Sequence, residues 1–234
     1  MRKRRIMLGC DTGEAEDAIG RARELALMEH VDAVSIACGG HAGDGESMRS
    51  MILGATRTGC AIGAHPSYPD RSGFGRRAIT IDDDTLRASI IEQLKSLKHA
   101  ADICLARVGF VKAHGALYHA IACDPVRGCW FAEICKSVFS DVAVVLPLGS
   151  DAIEQVRGSG CAVLVEGFCD RGYDDRGVLI PREQQGAMIT DPVDALVQTR
   201  RLLRDSACEL LCVHSDSSNA IGIARAVRQY LDSI

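Results

Sequence analysis

Residues 31–59, VDAVSIACGGHAGDGESMRSMILGATRTG, contain a unit whose pattern recurs along the chain. The apolar run at 31–38 is nearly continuous, which indicates a strand covered on both faces, as in a parallel sheet flanked by helices. A glycine-rich loop follows the run. An amphipathic stretch then begins after Asp44, a predicted helix N-cap, and ends at Gly59, a predicted C-terminal stop. The unit therefore predicts a strand, a loop and a helix in that order.

The same order repeats about seven times. The other apolar runs lie at 6–10, 60–64, 108–113, 142–148, 161–165 and 208–213. Helical patterns lie at 15–29, 45–58, 84–107, 125–139, 150–157, 192–204 and 218–231. Such alternation predicts an α/β fold with parallel strands. Without a recognisable linker, residues 1–234 are expected to form one domain, with 1–5 as a basic tail.

Polar residues follow six of the seven apolar runs. In a closed parallel barrel all strand C-termini lie at one end, so these side chains would converge there. An open sheet would gather only those beside its switch point. The distribution favours a β/α barrel of seven or eight strands.

The amino-acid composition and net charge argue against several classes of binding partner. The chain has 234 residues, a net charge of −4 and 4% aromatic residues, which argues against a basic nucleic-acid binder and a base-stacking platform. No apolar run reaches the roughly 18 residues of a membrane span, and the basic start precedes too short an apolar stretch for a signal peptide. The 11 cysteines include no Cys-x-x-Cys pair. We therefore expect a cytoplasmic protein with reduced, buried thiols and neither nucleic acid nor membrane as partner.

Candidate functional residues follow the first three runs. Asp11 and Glu14 are two carboxylates on one turn, which could bind a metal or share acid–base work. The alternative is that Asp11 caps the next helix. His41 lies among glycines whose amides could approach an anion, although a tight turn would need the same glycines. His65 follows the third run.

The segment from Lys112 to Tyr118 is the most informative one. Lys112 and His114 are two residues apart on a predicted strand, so both would point to the same side. Their apolar neighbours imply a shielded site, and burial predicts a lowered pKa for Lys112. The alternative is a buried structural ion pair between Lys112 and Glu166.

Basic residues supply candidates for anion binding. Arg76 and Arg77 could clamp a carboxylate or a phosphate, or could belong to a charged surface loop. The long connection that contains Asp170, Arg171 and Arg182 is typical of a lid or binding loop. His214 and Asp216 end the last run, where a core histidine is the alternative.

Seven segments together resemble the LamB/YcsF family of 5-oxoprolinase A subunits. They are Gly-Cys-Asp-Thr-Gly-Glu at 9–14, Ala-Cys-Gly-Gly-His-Ala-Gly-Asp at 37–44, Gly-Ala-His-Pro at 63–66, Gly-Phe-Gly-Arg-Arg at 73–77, Lys-Ala-His-Gly-Ala-Leu-Tyr at 112–118, Cys-Asp-Arg-Gly-Tyr at 169–173 and Cys-Val-His-Ser-Asp at 212–216. The resemblance implies a seven-stranded, TIM-like β/α barrel related to the glycoside hydrolase/deacetylase superfamily. It also implies ATP-dependent cleavage of 5-oxo-L-proline to L-glutamate, in a complex with two further subunits.

The resemblance and the residues together give a first assignment of roles. The catalytic set is Asp11, His41, His65, Lys112, His114 and Glu166. The substrate-binding set is Glu14, Arg76, Arg77, Tyr118, Asp170, Arg171, Arg182, His214 and Asp216. The sequence has no recognisable ATP loop, so ATP is expected as a co-substrate handled mainly by the partners.

Two other functions remain open at the level of sequence. One is a stand-alone metal-dependent hydrolase or deacetylase, in which Asp11, His41 and His65 would hold a divalent metal ion that activates water. The other is a barrel that binds a small acid without turnover. Departures from the family pattern at Gly9, Ser35, Gly40 and Ser215 are expected to alter the pocket, with Gly40 removing an aromatic side chain.

Overall fold

The computed structural model describes residues 6–205 and 207–234, and the predicted basic tail at 1–5 lies outside the described residues. Within these residues, seven parallel strands close into a barrel in chain order. The strands are β1 (Met7–Thr12), β2 (Ala33–Ala37), β3 (Ala61–His65), β4 (Val108–Val111), β5 (Ala143–Pro147), β6 (Ala162–Phe168) and β7 (Leu210–Cys212). Closure is made by β1, which pairs with β2 on one side and with β7 on the other. The predicted seven-stranded barrel is confirmed.

Helices connect successive strands on the outside of the barrel. They are α1 (Ala18–Leu27), α2 (Gly45–Thr58), α3 (Asp83–Ile103), α4 (Gly115–Ala122), α5 (Pro125–Val138), α6 (Ile153–Gly158), α7 (Pro192–Asp205) and α8 (Ala220–Asp232). Helix α2 has the predicted ends. The Asp44 side chain accepts from the backbone amides of residues 46 and 47, and Gly59 closes the helix in the left-handed region at φ 77°.

The sequence pattern missed helix α4. Its eight residues, Gly115–Ala122, are almost all small or apolar, so they lack the polar face that marks a surface helix. Leu117, Tyr118 and Ile121 of this helix are buried. As a result, Lys112 and His114 lie after strand β4, not on it as predicted, and His114 is the residue that precedes the helix.

The core has two parts, one outside and one inside the barrel. The larger part lies between the strands and the surrounding helices. A second cluster, formed by Ala33, Phe110, Val145 and Leu210, fills the interior. Lys112 comes two residues after Phe110, toward the carboxyl ends of the strands, so this apolar cluster lies below the level of Lys112. The apolar filling leaves only the carboxyl ends of the strands for polar side chains.

The cysteines are free thiols, as expected. The six cysteines that lie in or beside the apolar runs are all buried, namely Cys10, Cys38, Cys60, Cys161, Cys208 and Cys212. Burial raises the pKa of Cys38 and of Cys208 to about 12, so both stay protonated near neutral pH. Among the described residues, no helix has the length and apolar character needed to cross a membrane.

Gly63 makes room for the aromatic ring inside the barrel. A Cβ atom at this position would overlap the Phe110 ring. We expect Gly63→Ala to lower the free energy of unfolding by about 1–3 kcal/mol, because an added methyl group overpacks this interior. Gly109→Ala adds the same methyl group on strand β4, where its nearest neighbour would be 4.0 Å away. Urea unfolding should show a change within about 0.5 kcal/mol for this control. Equal losses for both variants would contradict the packing argument.

Candidate active site

A cavity of about 410 Å³ opens at the carboxyl end of the barrel. Eleven of the fifteen predicted site residues line it, namely Asp11, Glu14, His65, Arg76, Lys112, His114, Tyr118, Arg171, Arg182, His214 and Asp216. His41, Glu166 and Asp170 are buried. Each of them contacts a residue that lines the cavity: His41 contacts Glu14, Glu166 contacts Lys112, and Asp170 contacts His214. Arg77 is not among the lining residues, and its side chain is largely exposed.

Lys112 lies between two carboxylates at the floor of the cavity. Its Nζ atom is 3.0 and 3.1 Å from the two carboxylate oxygens of Asp11 and 2.8 Å from Oε1 of Glu166. All three side chains are buried. The Tyr118 hydroxyl donates a 2.6 Å hydrogen bond to the other oxygen of Glu166. The ion pair between Lys112 and Glu166 that was considered as an alternative is therefore present, and it extends to Asp11.

The prediction of a lowered pKa for Lys112 is wrong. Burial by itself favours the neutral amine, but the charges of Asp11 and Glu166 outweigh burial and hold the pKa of Lys112 well above its ordinary value. The sequence pattern gives the burial of Lys112, whereas the opposing carboxylates come from two distant strands. Lys112 is therefore a buried ammonium group that can donate hydrogen bonds but cannot act as a base.

The pKa values of the two carboxyl groups beside Lys112 are shifted in opposite directions. Burial opposes ionisation of Asp11, yet His65 and Lys112 hold its pKa well below the usual range. Burial lowers the pKa of His65 to about 3, so near neutral pH the cation that keeps Asp11 ionised is Lys112. Burial raises the pKa of Glu166 instead. Pairs of acids with pKa values shifted apart are typical of acid–base sites. Of the two, Asp11, whose pKa is lowered, lines the cavity.

Three histidines and one glutamate converge beside Asp11. The Nε2 atom of His41 is 3.0 Å from Oε1 of Glu14, and the Nδ1 atom of His114 is 3.2 Å from the same oxygen. The Nε2 atom of His65 is 3.0 Å from Nδ1 of His114. One donor atom from each of the four residues lies within 4.8 Å of the others, so the group could hold a divalent metal ion.

This group differs from the metal ligands that were predicted. It contains His41 and His65 but has Glu14 and His114 in addition. Asp11 is not in the group. Its carboxylate pairs with Lys112 at 3.0 Å, and its distance to Nε2 of His65 is 3.5 Å. Asp11 does not cap the next helix either, since Asp17 accepts the hydrogen bond from Gly20 at the start of α1.

Local backbone geometry sets the histidines in place. The buried Glu24 of helix α1 accepts the backbone amide of Glu14 at 2.9 Å, which fixes the turn after β1. Phe74 has φ 54°, an uncommon value that turns its carbonyl toward Nε2 of His114 at 2.9 Å. The next residue is Gly75, where a Cβ would come within 3.0–3.1 Å of His41 and His114. The predicted motif at 73–77 therefore supports the histidines through its backbone.

His214 has a different support. Its Nδ1 atom is 2.9 Å from the carboxylate of Asp170, which also accepts the backbone amide of His214 at 2.8 Å. Asp170 is fully buried, so it orients His214 and does not line the cavity. The His214 ring stacks on Phe168, a cavity residue that the sequence reasoning missed. Phe168 is two residues after Glu166 and on the same face of the strand, and this spacing could have identified it.

The four arginines have different roles. Arg76 and Arg182 both reach Oδ2 of Asp216, at 2.7 and 2.9 Å, at the rim of the cavity. Arg171 donates to the backbone carbonyls of residues 180 and 187, so its guanidinium group holds the long connection after β6. Arg77 pairs with Asp70 on the outside, at 2.6 Å, which corresponds to the surface-loop alternative for this residue.

Gly40 does not shape this cavity, contrary to the expectation. A Cβ at position 40 would run into the side chains of Gln93 and Ser67. Gly40 lines a separate groove on the outside of the barrel, between α2 and α3. An aromatic side chain at this position would therefore displace Gln93 and Ser67.

Fold and site together define a TIM-like β/α barrel with a cluster of buried ionisable side chains at the carboxyl ends of its strands. The model of the LamB/YcsF family matches residues 6–234, and the chain belongs to this family. The A subunit of a 5-oxoprolinase from Bordetella pertussis is 36% identical, over 97% of this chain and 95% of that protein. The A subunit of a 5-oxoprolinase from Methylococcus capsulatus is 34% identical, over 97% of this chain and 92% of that protein.

Solved structures show the same architecture. A lactam utilization protein from Thermus thermophilus superposes with a TM-score of 0.87 at 29% identity, covering 98% of this chain and 96% of that one. The catalytic domain of a peptidoglycan N-acetylglucosamine deacetylase from Eubacterium rectale superposes with a TM-score of 0.52 at 9% identity, covering 97% of this chain and 84% of that one. The second similarity is one of fold alone.

Removing the ammonium group at the cavity floor should make stability depend on pH. In the wild type, the lowered pKa of Asp11 adds stability above its unfolded value of about 3.9, and this contribution is lost as the pH falls. In Lys112→Met, two buried carboxylates lack a cation, so their folded-state pKa values rise above the unfolded ones. Urea unfolding should show the variant about 3–5 kcal/mol below the wild type at a pH of about 8, with a smaller gap at about 5.

Two further variants test the cause of this effect. Lys112→Met combined with Glu166→Gln should recover part of the loss, because one buried charge is gone. Lys98→Met removes an exposed partner of Asp102 and should change the unfolding free energy by less than about 1 kcal/mol. A gap for Lys112→Met that is independent of pH would contradict the assigned charges.

Proposed function

We propose that this chain is the A subunit of an ATP-dependent 5-oxoprolinase, which converts 5-oxo-L-proline to L-glutamate. The observation that carries the proposal is an ionised carboxylate, Asp11, held against the buried ammonium of Lys112 at the floor of a cavity with arginine at its rim. The full-length similarity to proteins named as 5-oxoprolinase A subunits supports the substrate. The whole chain would act as one catalytic domain.

The reaction is difficult because the lactam carbonyl is a poor electrophile. In our proposal ATP phosphorylates the amide oxygen, and ADP leaves. Water then adds to the same carbon, the ring C–N bond breaks, and the nitrogen takes up a proton. The acyl phosphate that results is hydrolysed by a second water molecule to glutamate and inorganic phosphate. These steps need a base, a cationic group for developing negative charge and a site for the substrate carboxylate.

Each requirement has a candidate in the cavity. Asp11 would take the proton from water, since it is ionised and lines the cavity. Lys112 would stabilise negative charge on the oxygen atoms at the reacting carbon, held in place by Glu166 and Tyr118. Arg76 would bind the substrate carboxylate by exchanging its present partner, Asp216.

ATP and the partner proteins belong to the same proposal. The sequence has no Walker A pattern, so we assign phosphoryl transfer mainly to two further subunits that assemble with this chain. The relatives are each named as one lettered component of a 5-oxoprolinase, which supports a complex of several different chains.

The first test is turnover in the assembled complex. The chain is combined with its native partner subunits, and glutamate and ADP are measured together after 5-oxoproline and ATP are added. Asp11→Asn should lower the rate about 10²–10⁴-fold, because a general base is lost. Asp141→Asn, a substitution in the exposed pair with Arg107, serves as the control. Full activity of Asp11→Asn would contradict its role, and amide hydrolysis by the wild type without ATP would favour the metal-dependent hydrolase.

A second test separates the two neighbouring arginines. Arg76→Ala should raise KM for 5-oxoproline about 10–100-fold, since a charge-assisted hydrogen bond to a carboxylate contributes about 1.5–3 kcal/mol. Arg77→Ala should leave KM within about twofold, because Arg77 pairs with Asp70 outside the cavity. Steady-state kinetics of the complex with each variant decide between them. Equal increases in KM would contradict the placement of the carboxylate at Arg76.

A further inference from the structure

We infer that Glu14, His41, His65 and His114 bind one transition-metal ion of the zinc type. The ligand atoms are Oε1 of Glu14, Nε2 of His41, Nε2 of His65 and Nδ1 of His114. Asp11 belongs to the neighbouring ion cluster and is not a ligand. The inference goes beyond the proposed function, and its tests do not require 5-oxoprolinase activity.

Hydrogen bonds to backbone carbonyls fix the tautomers of two rings. Nδ1 of His65 is 2.7 Å from the carbonyl oxygen of Lys112, and Nε2 of His114 is 2.9 Å from the carbonyl oxygen of Phe74. A carbonyl oxygen only accepts, so each of these nitrogens carries a hydrogen. In the neutral rings, the other nitrogens, Nε2 of His65 and Nδ1 of His114, therefore present lone pairs.

These two lone pairs face each other. The nitrogens are 3.0 Å apart, and Oε1 of Glu14 lies 3.2 Å from one and 3.8 Å from the other. Three electron-rich atoms at these distances repel one another unless a positive charge lies among them. A single proton on Nδ1 of His114 would have to be shared between the other two atoms. A metal ion would satisfy all three at once. Nε2 of His41 is 3.0 Å from the same carboxylate oxygen, and the His41 ring, which stacks on His114 at 3.7 Å, would tilt to complete the set.

The spacing of the donor atoms fits a four-coordinate ion. In a tetrahedron with metal–ligand bonds of about 2.0–2.1 Å, neighbouring ligand atoms are roughly 3.3 Å apart. Four of the six distances in the group are 3.0, 3.0, 3.2 and 3.8 Å, which fall on both sides of this value, and all six are within 4.8 Å. Three imidazole nitrogens and one carboxylate oxygen favour zinc and its first-row neighbours over magnesium or calcium.

The surroundings of the group are also those of a metal site. Metal-binding histidines usually donate their second N–H to a carbonyl or carboxylate, as His65 and His114 do here. The four residues come from the connections that follow β1 and β2, from the end of β3, and from the start of α4. Four protein ligands complete a tetrahedral set. The ion would therefore tie these segments together beside Asp11.

Metal binding can be measured directly on the full chain. The protein is stripped with a chelator and titrated with Zn²⁺ and with Co²⁺, and bound metal is counted by elemental analysis after dialysis. We expect one ion per chain, with the intense visible absorption of four-coordinate cobalt. Zn²⁺ at about a hundredfold excess over Kd should raise the unfolding midpoint by about 5–10 °C. A wild-type chain that binds no stoichiometric metal would overturn the inference.

Substitutions identify the ligands. Glu14→Gln and His114→Ala should each weaken Co²⁺ binding at least about 100-fold, since losing even a residue that only hydrogen-bonds to a ligand costs about 10–100-fold. His119→Ala, which removes a cavity histidine outside the group, should bind as the wild type does. Asp11→Asn should keep one ion per chain. Loss of binding in Asp11→Asn with retention in Glu14→Gln would overturn the ligand set in favour of Asp11, His41 and His65.

Misfolding of a variant and loss of enzyme activity can both be distinguished from loss of metal binding. Circular dichroism of each metal-free variant distinguishes a misfolded chain from a folded one that lacks a ligand. If a variant misfolds, the titration of the wild type still tests the inference. A chain that binds one ion but gives no glutamate would refute the proposed function alone. A chain that turns over 5-oxoproline but binds no stoichiometric Zn²⁺ or Co²⁺ in the titration would refute this inference alone.

Discussion

The buried ammonium of Lys112 is the constraint on which the site depends. A cation this far from water is tolerated only because carboxylates from β1 and β6 meet it from two sides. The same residue offers its backbone carbonyl to His65, so one position connects the ion cluster to the histidines. The charge state of Asp11, the orientation of Glu166 and the tautomer of His65 all follow from where Lys112 lies.

The interior of the barrel divides into an apolar and a polar level. Below, Phe110 and its neighbours fill the space so completely that Gly63 has no room for a side chain. Above, the strands end and polar groups take over. Such a division keeps water from reaching the carboxylates from below, which strengthens every interaction of Lys112. The cavity is therefore accessible from one end only.

The sequence predicts the architecture well because the architecture depends on local patterns. Seven apolar runs give seven strands, and Asp44 and Gly59 end α2 where their chemistry requires. The predictions that were wrong concern properties set by contacts between residues far apart in the sequence. The pKa of Lys112 is set by Asp11 and Glu166, about 100 and 54 positions away, and no local pattern contains that information. Arg76 and Arg77 are adjacent in sequence, yet only one lines the cavity.

The connection between β6 and α7 is attached to the barrel in an uneven manner. Near its start the buried Asp170 holds it to His214, and Arg171 ties the connection to itself through the backbone carbonyls of residues 180 and 187. Its middle touches the opposite rim through Arg182 and Asp216, which are 25% and 39% exposed. An ion pair this exposed contributes about 1 kcal/mol or less and weakens in salt. This contact across the rim can therefore break without disturbing the buried contacts that hold the barrel together.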